Sequence, residues 1–405
     1  TWNNETLPDD EVKIYYNAPG RPNYLVTEWT DFNLPRSLTD FSNRNIQWSF
    51  DENNDLSGIS TAGRNISFIN GNNSLNATTS DNNNLNLQIT SLNNYDVTTT
   101  GTVAATINYD TQEQTDKKQA LTISLRSTNV TSGTGKTATI NYLLDVYGRV
   151  INAGNLNITR KPYSGEITTI NDGNIKETRA YNDWGLLTEQ AVTYSGNEMY
   201  KASYQYDGMQ RIKQLDEIVS GISTQIIYQY NARGQLEKVF KNGVVSEQYT
   251  YDDFGNRTSV NSDNVTYSYQ TNNFNQTYKY SWTKSSSVKH REFNYNNAGQ
   301  LTGTVNKTGS TVTSSKNFSY DIFGNLNTVT WASQNLEFKY DAFDRQIATY
   351  LNSVVKQKIV YGIGDLPLAE LNENDRIINT FIYADQNTPI LMRKGSVDYY
   401  IVSDI

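Results

Sequence analysis

The side chains that most often carry catalysis or bind metals are scarce in this chain. It has a single histidine, His290, and no cysteine among its 405 residues. Thiolate metal sites, disulfides and multi-histidine metal sites are therefore excluded, and any catalytic triad would depend on His290 alone. His290 lies in the polar, strand-like stretch SSSVKHREF, so we interpret it as a surface residue without a catalytic role.

Two segments resemble ligand-binding loops but lack residues that those loops need. In VTSGTGKT (130–137), Val130 stands where a phosphate loop requires glycine. In DENNDLSG (51–58), Leu56 replaces the glycine of a calcium loop, and Ala62 replaces the glutamate at its twelfth position. We therefore predict no cofactor. A weak cation site of turn carboxylates is the alternative.

Adjacent carboxylates such as Asp252 and Asp253 could in principle act as an acid and a base. Acidic residues recur in turns throughout the sequence, so such neighbours carry little signal for that chemistry.

The net charge is −8, and no basic cluster is longer than a pair such as Lys117-Lys118, which disfavours nucleic-acid binding. No run approaches the 18 or so apolar residues of a membrane helix. We expect neither an enzyme nor a membrane span.

Tryptophan rings offer one further kind of chemistry, because they can stack on sugars while asparagine and aspartate bind hydroxyl groups. Each candidate lies in a strand-like context, so we favour the interpretation that these rings fill the packing of a sheet. A carbohydrate- or cell-surface-binding adhesion module, with a cell-surface glycan as its partner, remains the alternative function. The candidates are Trp29, Trp48, Trp184, Trp282 and Trp331.

The composition indicates which elements must position these residues. Tyrosine is abundant (29), while hydrophobic residues make up 36% and charged residues 19% of the chain, both low for a globular protein. Such a mixture suits thin β-layers with wide polar faces, where tyrosine supplies apolar area and a hydroxyl together.

The stretch YDDFGNRTSV (251–260) has the pattern of a hairpin tip. Asp252 can begin a type I turn by accepting backbone N–H groups, and Gly255 suits the left-handed conformation that closes it. Alternating Tyr249 and Tyr251 before the turn, and the β-branched residues after it, predict a strand on each side.

The same turn recurs about every 20–25 residues, which predicts one hairpin per repeat. We interpret its residues as structural, with tyrosine rings stapling neighbouring hairpins ring on ring and with Asp and Gly fixing each turn. Copies from Leu144 and Tyr269 are more divergent. The clear copies contribute Tyr181, Gly185, Tyr206, Asp207, Tyr230, Gly234, Tyr251, Asp252, Gly255, Tyr295, Gly299, Tyr320, Asp321, Gly324, Tyr340 and Asp341.

This pattern resembles the Rhs/YD-repeat family, which includes bacterial Rhs proteins, toxin-complex proteins and teneurin-like YD shells. The resemblance begins near residue 44 and rests on many copies of Tyr-Asp-x-x-Gly-Arg/Asn-Leu/Val in register. It implies that the stacked hairpins coil into a hollow shell. In that family, self-cleavage uses aspartates of a core that follows the repeats, and no position here matches that motif, so no catalytic residue is carried over.

The sequence predicts an all-β chain of stacked hairpins in a coiled sheet. We divide it into an irregular lead-in with short strands (1–43), divergent first repeats with long polar loops (44–140) and a regular YD-repeat array (141–405). By composition, the segment 201–219 could form a helix more readily than any other, but its central turn motif favours a hairpin.

The resemblance implies a structural shell segment of a secreted or cell-surface bacterial protein, which encloses a C-terminal toxin or mediates contact. Ile405 precedes the position of the family's core, so we expect either a fragment or a form built only of shell. The end, VDYYIVSDI (397–405), is β-branched, aromatic and nearly uncharged, the profile of an adhesive sheet edge. The expected partners are other segments of the same polyprotein, a toxin cargo, or like chains joined by strand pairing.

Overall fold

The chain is all-β in the computed structural model, as predicted. The structure describes residues 94–403, apart from 115–116, 285, 363 and 386–387, and before residue 94 it describes the strands given below and Asn83. No α-helix occurs among these residues, and none of them forms a helix long and apolar enough to cross a membrane.

Two short strands, β1 (Asn4–Thr6) and β2 (Val12–Ile14), pair only with each other. All other strands belong to one antiparallel sheet, in which each strand pairs with the next along the chain. The first part of this sheet comprises β3 (Tyr24–Trp29), β4 (Pro35–Asp40), β5 (Asn45–Phe50), β6 (Leu56–Thr61), β7 (Arg64–Ile69), β8 (Ser74–Thr79), β9 (Asn84–Ser91), β10 (Asn94–Thr100), β11 (Ala105–Glu113) and β12 (Gln119–Ser127).

The repeats form the remainder of the sheet, two strands to each repeat. Its strands are β13 (Thr137–Leu144), β14 (Val150–Ala153), β15 (Leu156–Arg160), β16 (Ile167–Asn171), β17 (Ile175–Tyr181), β18 (Leu187–Tyr194), β19 (Asn197–Tyr206), β20 (Ile212–Val219), β21 (Ile222–Tyr230), β22 (Leu236–Lys241), β23 (Val244–Tyr251), β24 (Arg257–Ser262), β25 (Val265–Thr271), β26 (Thr277–Lys284), β27 (Ser287–Tyr295), β28 (Leu301–Thr308), β29 (Thr311–Tyr320), β30 (Leu326–Trp331), β31 (Gln334–Tyr340), β32 (Gln346–Leu351), β33 (Val354–Tyr361), β34 (Pro367–Leu371), β35 (Ile377–Tyr383), β36 (Pro389–Lys394) and β37 (Val397–Tyr400).

The alternation of apolar and polar side chains explains why these segments form strands and not helices. In the segment 201–219, Tyr204 on β19 faces Leu215 on β20, and both are buried. The prediction of a hairpin there is confirmed, because a period of two places these apolar side chains on one face of the sheet.

The coiling of the sheet brings its early and late strands together. The backbone N–H of Ile377 on β35 donates to the carbonyl of Gly135, just before β13, at 2.7 Å. At the other end of the same strands, the N–H of Tyr383 donates to the hydroxyl of Tyr142 at 3.2 Å. The strands between β13 and β35 therefore complete one turn of a coil whose ends overlap.

A single hydrophobic cluster fills this overlap and draws on both ends of the described sheet. Fully buried Ile107 and Ile170 come from the early strands, and Leu371 and Ile382 come from the late ones. Burying each such side chain contributes about 1.5–3 kcal/mol relative to exposure. The overlap, which we call the seam, is thus held mainly by apolar contact.

The proposed division at residues 43 and 140 remains a prediction. Strands β3 and β4, inside the segment 1–43, already belong to the large sheet.

Candidate functional site

The repeat turn around Asp252 is built by its own side chain. One carboxylate oxygen, Oδ1, accepts the backbone N–H of Phe254 at 3.0 Å and that of Asn256 at 2.8 Å. The N–H of Gly255 donates to the carbonyl of Asp252, and Gly255 has φ +87°. Hydrogen bonds, led by the one from the Asn256 side chain, hold the pKa of Asp252 below its usual value. The arrangement is a type I turn closed by a left-handed residue and a bulge.

The same backbone pattern occurs in ten turns of the part of the chain that the structure describes. In each, an Asp or Asn side-chain oxygen accepts the N–H groups two and four residues on, which both residue types can do. The divergent copy from Leu144 forms this turn as well. The copy predicted from Tyr269 begins two residues later, at Thr271, because Asn272 is the residue whose side chain accepts the two N–H groups. The accepting residues are Asp145, Asn182, Asp207, Asn231, Asp252, Asn272, Asn296, Asp321, Asp341 and Asn372.

The left-handed position lies three residues after the Asp or Asn whose side chain accepts, which makes it the fifth of each repeat, and it is not always glycine. Gln210 has φ +63°, Asn275 +58° and Asp344 +63°. In the repeat from Tyr206, the glycine at 208 lies elsewhere in the turn, so the exposed Gln210 takes the left-handed conformation instead.

Replacing Gln210 by glycine is therefore expected to raise the free energy of unfolding by about 0.5–1 kcal/mol, because glycine adopts positive φ without the steric cost paid by glutamine. Urea denaturation measures the change. Gly208→Ala serves as the matched control and should not reproduce the gain, because Gly208 does not have a left-handed φ and a Cβ there meets open space. A lower midpoint for Gln210→Gly would contradict the prediction.

Each repeat tyrosine joins its hairpin to the preceding one through its hydroxyl group. The Tyr251 hydroxyl donates to the carbonyl of Leu236 at 2.7 Å, and Leu236 follows the previous turn directly. This link differs from the ring-on-ring ladder that the sequence suggested. The same bond is made by Tyr181, Tyr206, Tyr230, Tyr295, Tyr320, Tyr340, Tyr361 and Tyr383.

The sixth residue of the repeat was missed as a functional position by the sequence reasoning. The Arg211 guanidinium donates to the Asp207 carboxylate at 2.8 Å, and the Asn256 amide donates to Asp252 at 3.0 Å. Where the turn begins with asparagine, as at Asn231, its amide donates instead to a glutamine oxygen, here that of Gln235 at 2.9 Å. This pairing of Asp with Arg or Asn, and of Asn with Gln, was visible in the sequence and could have identified the position.

The segment 130–137 is a seam loop rather than a phosphate loop. It connects the antiparallel strands β12 and β13. The Arg376 guanidinium donates to the carbonyls of two residues of this loop, Ser132 and Thr134. The Asn129 amide donates to Asp375 at 2.9 Å. The loop's glycines thus allow Arg376 to approach closely, and a Cβ on Gly135 would lie 2.9 Å from the carbonyl oxygen of Ile377.

A buried arginine closes the opposite end of the seam. The Arg160 guanidinium donates to three carbonyls at 2.9 Å, those of Val150, Gly165 and Ala384, and its side chain is 6% exposed. It also lies 2.8 Å from the Asp385 carboxylate. Beside it is a cleft of about 1010 Å³, lined mostly by apolar side chains of both ends of the sheet.

The last described residues fold against strands β17 and β18. The Tyr400 hydroxyl donates to the fully buried Glu177, which also contacts Arg179 and accepts the amide of Gln190. Burial, reinforced by the Glu177 charge, raises the pKa of Tyr400. The predicted adhesive end is thus anchored by side chains of the same sheet, while association with partner segments or like chains remains a prediction.

The candidate sugar-stacking tryptophans lie in different hairpins. Trp184 is 74% exposed at a turn tip, whereas Trp282 packs between Tyr267 and Tyr280. Trp48 and Trp331 are half-buried, and the side chain of Trp29 lies outside the described residues. The structure therefore does not gather these rings into one platform.

The single histidine is not at the surface, contrary to the sequence-based expectation. The His290 side chain is 12% exposed, and its Nε2 lies 3.3 Å from the Glu292 carboxylate.

In the part of the chain that the structure describes, no group of three or more His, Asp or Glu side chains is placed to hold a metal. Residues 51–55 of the calcium-loop-like segment lie outside that part.

The fourth position of the repeat presents large apolar side chains to solvent. Trp184 is one member, and at successive turns this row runs along one edge of the coiled sheet, because each turn is displaced by two strands from the last. The most exposed members are Tyr147, Trp184, Met209, Phe254 and Phe274.

Comparison with known proteins agrees with this architecture. The crystal structure titled TcdB2-TccC3-TEV is similar with a TM-score of 0.51 at 12% identity, covering 92% of this chain and 24% of that one. A second, of TcdB2-TccC3 without its hypervariable C-terminal region, has a TM-score of 0.32 at 10% identity and covers 89% of this chain and 27% of that one. This chain thus spans about a quarter of the length of those proteins. No curated protein matches it in sequence.

The family model described as Teneurin YD-shell matches residues 11–405. That match extends over the lead-in, the divergent repeats and the regular array alike. With its hydroxyl-linked hairpin turns and its coiled antiparallel sheet, the chain belongs to the Teneurin YD-shell family.

Proposed function

We propose that this structural shell segment forms the wall of a longer secreted or cell-surface protein and encloses another segment of it, such as a C-terminal toxin. The role is non-catalytic. The proposal rests on one observation, the seam, where hairpins far apart in sequence share a buried core. A sheet that overlaps itself has no open side along that line, so it can separate an enclosed segment from solvent.

The polar bonds at the seam support the same role. Arg160 and Glu177 are both buried and both bind late residues of the chain, Ala384 with Asp385 and Tyr400 respectively. Removing a partner from such buried groups costs several kcal/mol. Hydrogen bonds and ion pairs therefore stabilise the seam in addition to apolar packing, as expected of a wall that must not open.

Limited proteolysis of the complete natural protein tests this role. We expect any segment that follows residue 405 to resist cleavage at protease levels that cut exposed linkers, with fragments identified by mass spectrometry. Opening the seam with Arg160→Met and Tyr400→Phe together should expose it. Tyr163→Phe is the control, since Tyr163 is fully exposed. Rapid cleavage while the repeats remain intact, or a natural protein that ends at residue 405, would overturn enclosure.

An adhesion module is the second candidate, favoured by the exposure of Trp184 in the row of turn-tip side chains. Binding to a panel of glycans that is lost in Trp184→Ala, with an unchanged melting temperature, would establish it. Absence of binding across the panel would remove it.

A further inference from the structure

Consecutive turns touch through two positions of the repeat. The sixth residue of one turn reaches over the fifth, left-handed residue of the next. The Gln235 amide nitrogen, for example, lies 3.2 Å from the place where a Cβ on Gly255 would stand. Such a distance is tighter than an ordinary contact, so a side chain at position 255 would force the Gln235 amide to shift.

The same relation holds at five further joints, where a Cβ on the following glycine would lie 2.7–3.3 Å from the nearest atom of the earlier side chain. Besides Gln235 with Gly255, the pairs are Arg149 with Gly165, Glu166 with Gly185, Arg211 with Gly234, Gln276 with Gly299, and Gln300 with Gly324. Arg345 is also a long sixth residue but differs: its guanidinium donates to the carbonyls of Gly362 and Gly364, and Asp365 holds the fifth position of the following turn.

Where the sixth residue is asparagine, the next fifth residue is no longer glycine. The Asn256 amide donates to the Asn275 oxygen at 2.9 Å, and the Asn325 amide donates to the Asp344 carboxylate at 2.6 Å. Asparagine is one methylene shorter than glutamine, and the side chain from the next turn fills the space that this leaves. Asn and Asp are also the residues that tolerate positive φ best after glycine.

We propose that these two positions form a size-matched clasp that determines which hairpin can lie beside which. In the clasped joints, a long sixth residue is matched with glycine in the following turn, and a short one is matched with an Asn or Asp acceptor. The joint between Leu186 and Gln210 has no clasp, since leucine carries no donor.

The clasp distinguishes one hairpin from another, which the strands alone do not. All the hairpins share the same alternation and the same turn, so burial alone would permit a slip in register by two residues, which keeps each side chain on its face of the sheet. A clasp that accepts only one kind of neighbour penalises a wrong order by collision or by an unmet donor. The clasped joints therefore act as specificity determinants for assembly of the shell.

Single and double substitutions at the Asn256–Asn275 joint of the full chain test this proposal. The measurement is hydrogen exchange of the backbone amides in the two turns. Asn256→Gln alone should collide with Asn275, and Asn275→Gly alone should remove one of the two acceptors of the Asn256 amide and leave only Asp252. We expect each to speed exchange of the amides of residues 256 and 275 about five- to tenfold, equivalent to one net hydrogen bond. The double variant recreates the Gln–Gly clasp and should return to within about twofold of the natural rate.

The reverse exchange at Gln235 and Gly255 provides an independent arm. Gln235→Asn and Gly255→Asn should each speed local exchange, and together they should restore it by recreating the Asn–Asn clasp. The amide of Gly324, in a distant turn, is the internal control and should not change. Single variants without effect, or double variants whose exchange rates equal the product of the single effects, would overturn the proposal.

Discussion

Replacing Asp341 by alanine is expected to lower the free energy of unfolding by about 3–5 kcal/mol, the cost of leaving a buried charge without its partner. The Arg345 guanidinium binds the Asp341 carboxylate at 2.7 Å through both Nε and Nη2, and the two side chains are only 7% and 10% exposed. Two carbonyls, those of Gly362 and Gly364, occupy Nη1 at 2.9 and 2.8 Å. Alanine would leave the guanidinium buried with carbonyl acceptors alone.

The chain contains a matched control at the same position of another turn. Asp252 accepts the same two backbone N–H groups as Asp341, but its side-chain partner is the neutral Asn256. Asp252→Ala should therefore cause a clearly smaller loss in urea denaturation. In addition, Asp341→Ala combined with Arg345→Met should recover part of the loss, because no buried charge remains. Equal losses for Asp341→Ala and Asp252→Ala would show that the turn, and not the buried ion pair, sets the cost.

The all-β fold and its hairpins could be predicted from the sequence because their causes are local. A turn such as that at Asp252 is determined within five residues, and the strands beside it follow from an alternation of period two. The repetition of this unit then made stacking the natural consequence, since an isolated hairpin is barely stable. Even the divergent turn at Asn272 could be recognised in this way.

The seam could not be predicted by the same reasoning. Whether Gly135 meets Ile377 depends on how many strands complete one turn of the coil, and that number follows from small twists added over the whole sheet. Nothing in the sequence near either residue encodes it. The burial of Glu177 by Tyr400 was hidden for the same reason.

The role of the repeat tyrosine was anticipated only in part. Its regular spacing indicated a link between hairpins, and aromatic rings suggested stacking. The structure shows that a bond from the hydroxyl to a backbone carbonyl makes the link, as Tyr251 does with Leu236. Such a bond requires the proton of the phenol, and this requirement makes the fold sensitive to alkaline pH.

Unfolding is expected to set in steeply as the pH rises above about 10. Burial raises the pKa of the linking tyrosines given at the end of this paragraph above their ordinary value of 10.0, and that of Tyr383 to about 12. The unfolded chain therefore loses these protons first, between about pH 10 and 12, and stability falls across that window while it is unaffected below it. The groups with raised pKa include Tyr181, Tyr206, Tyr230, Tyr251, Tyr295, Tyr340, Tyr361 and Tyr383.

Absorbance of tyrosinate and circular dichroism, followed together across a pH titration, measure this transition. A share of the tyrosinate absorbance should change together with the circular dichroism, because the linking phenols ionise more readily once the sheet opens. Tyr251→Phe separates the bond from general alkaline damage: it should cost about 1 kcal/mol near neutral pH, where the Tyr251 hydroxyl donates to Leu236. That deficit should shrink between pH 10 and 12, because the Tyr251 phenol ionises more readily once the chain unfolds, which lowers the stability of the natural chain but not that of the phenylalanine variant. Tyr163→Phe, at a fully exposed ring, should change neither quantity. If the deficit of Tyr251→Phe stayed constant through the titration, the hydroxyl bonds would not be the source of the sensitivity.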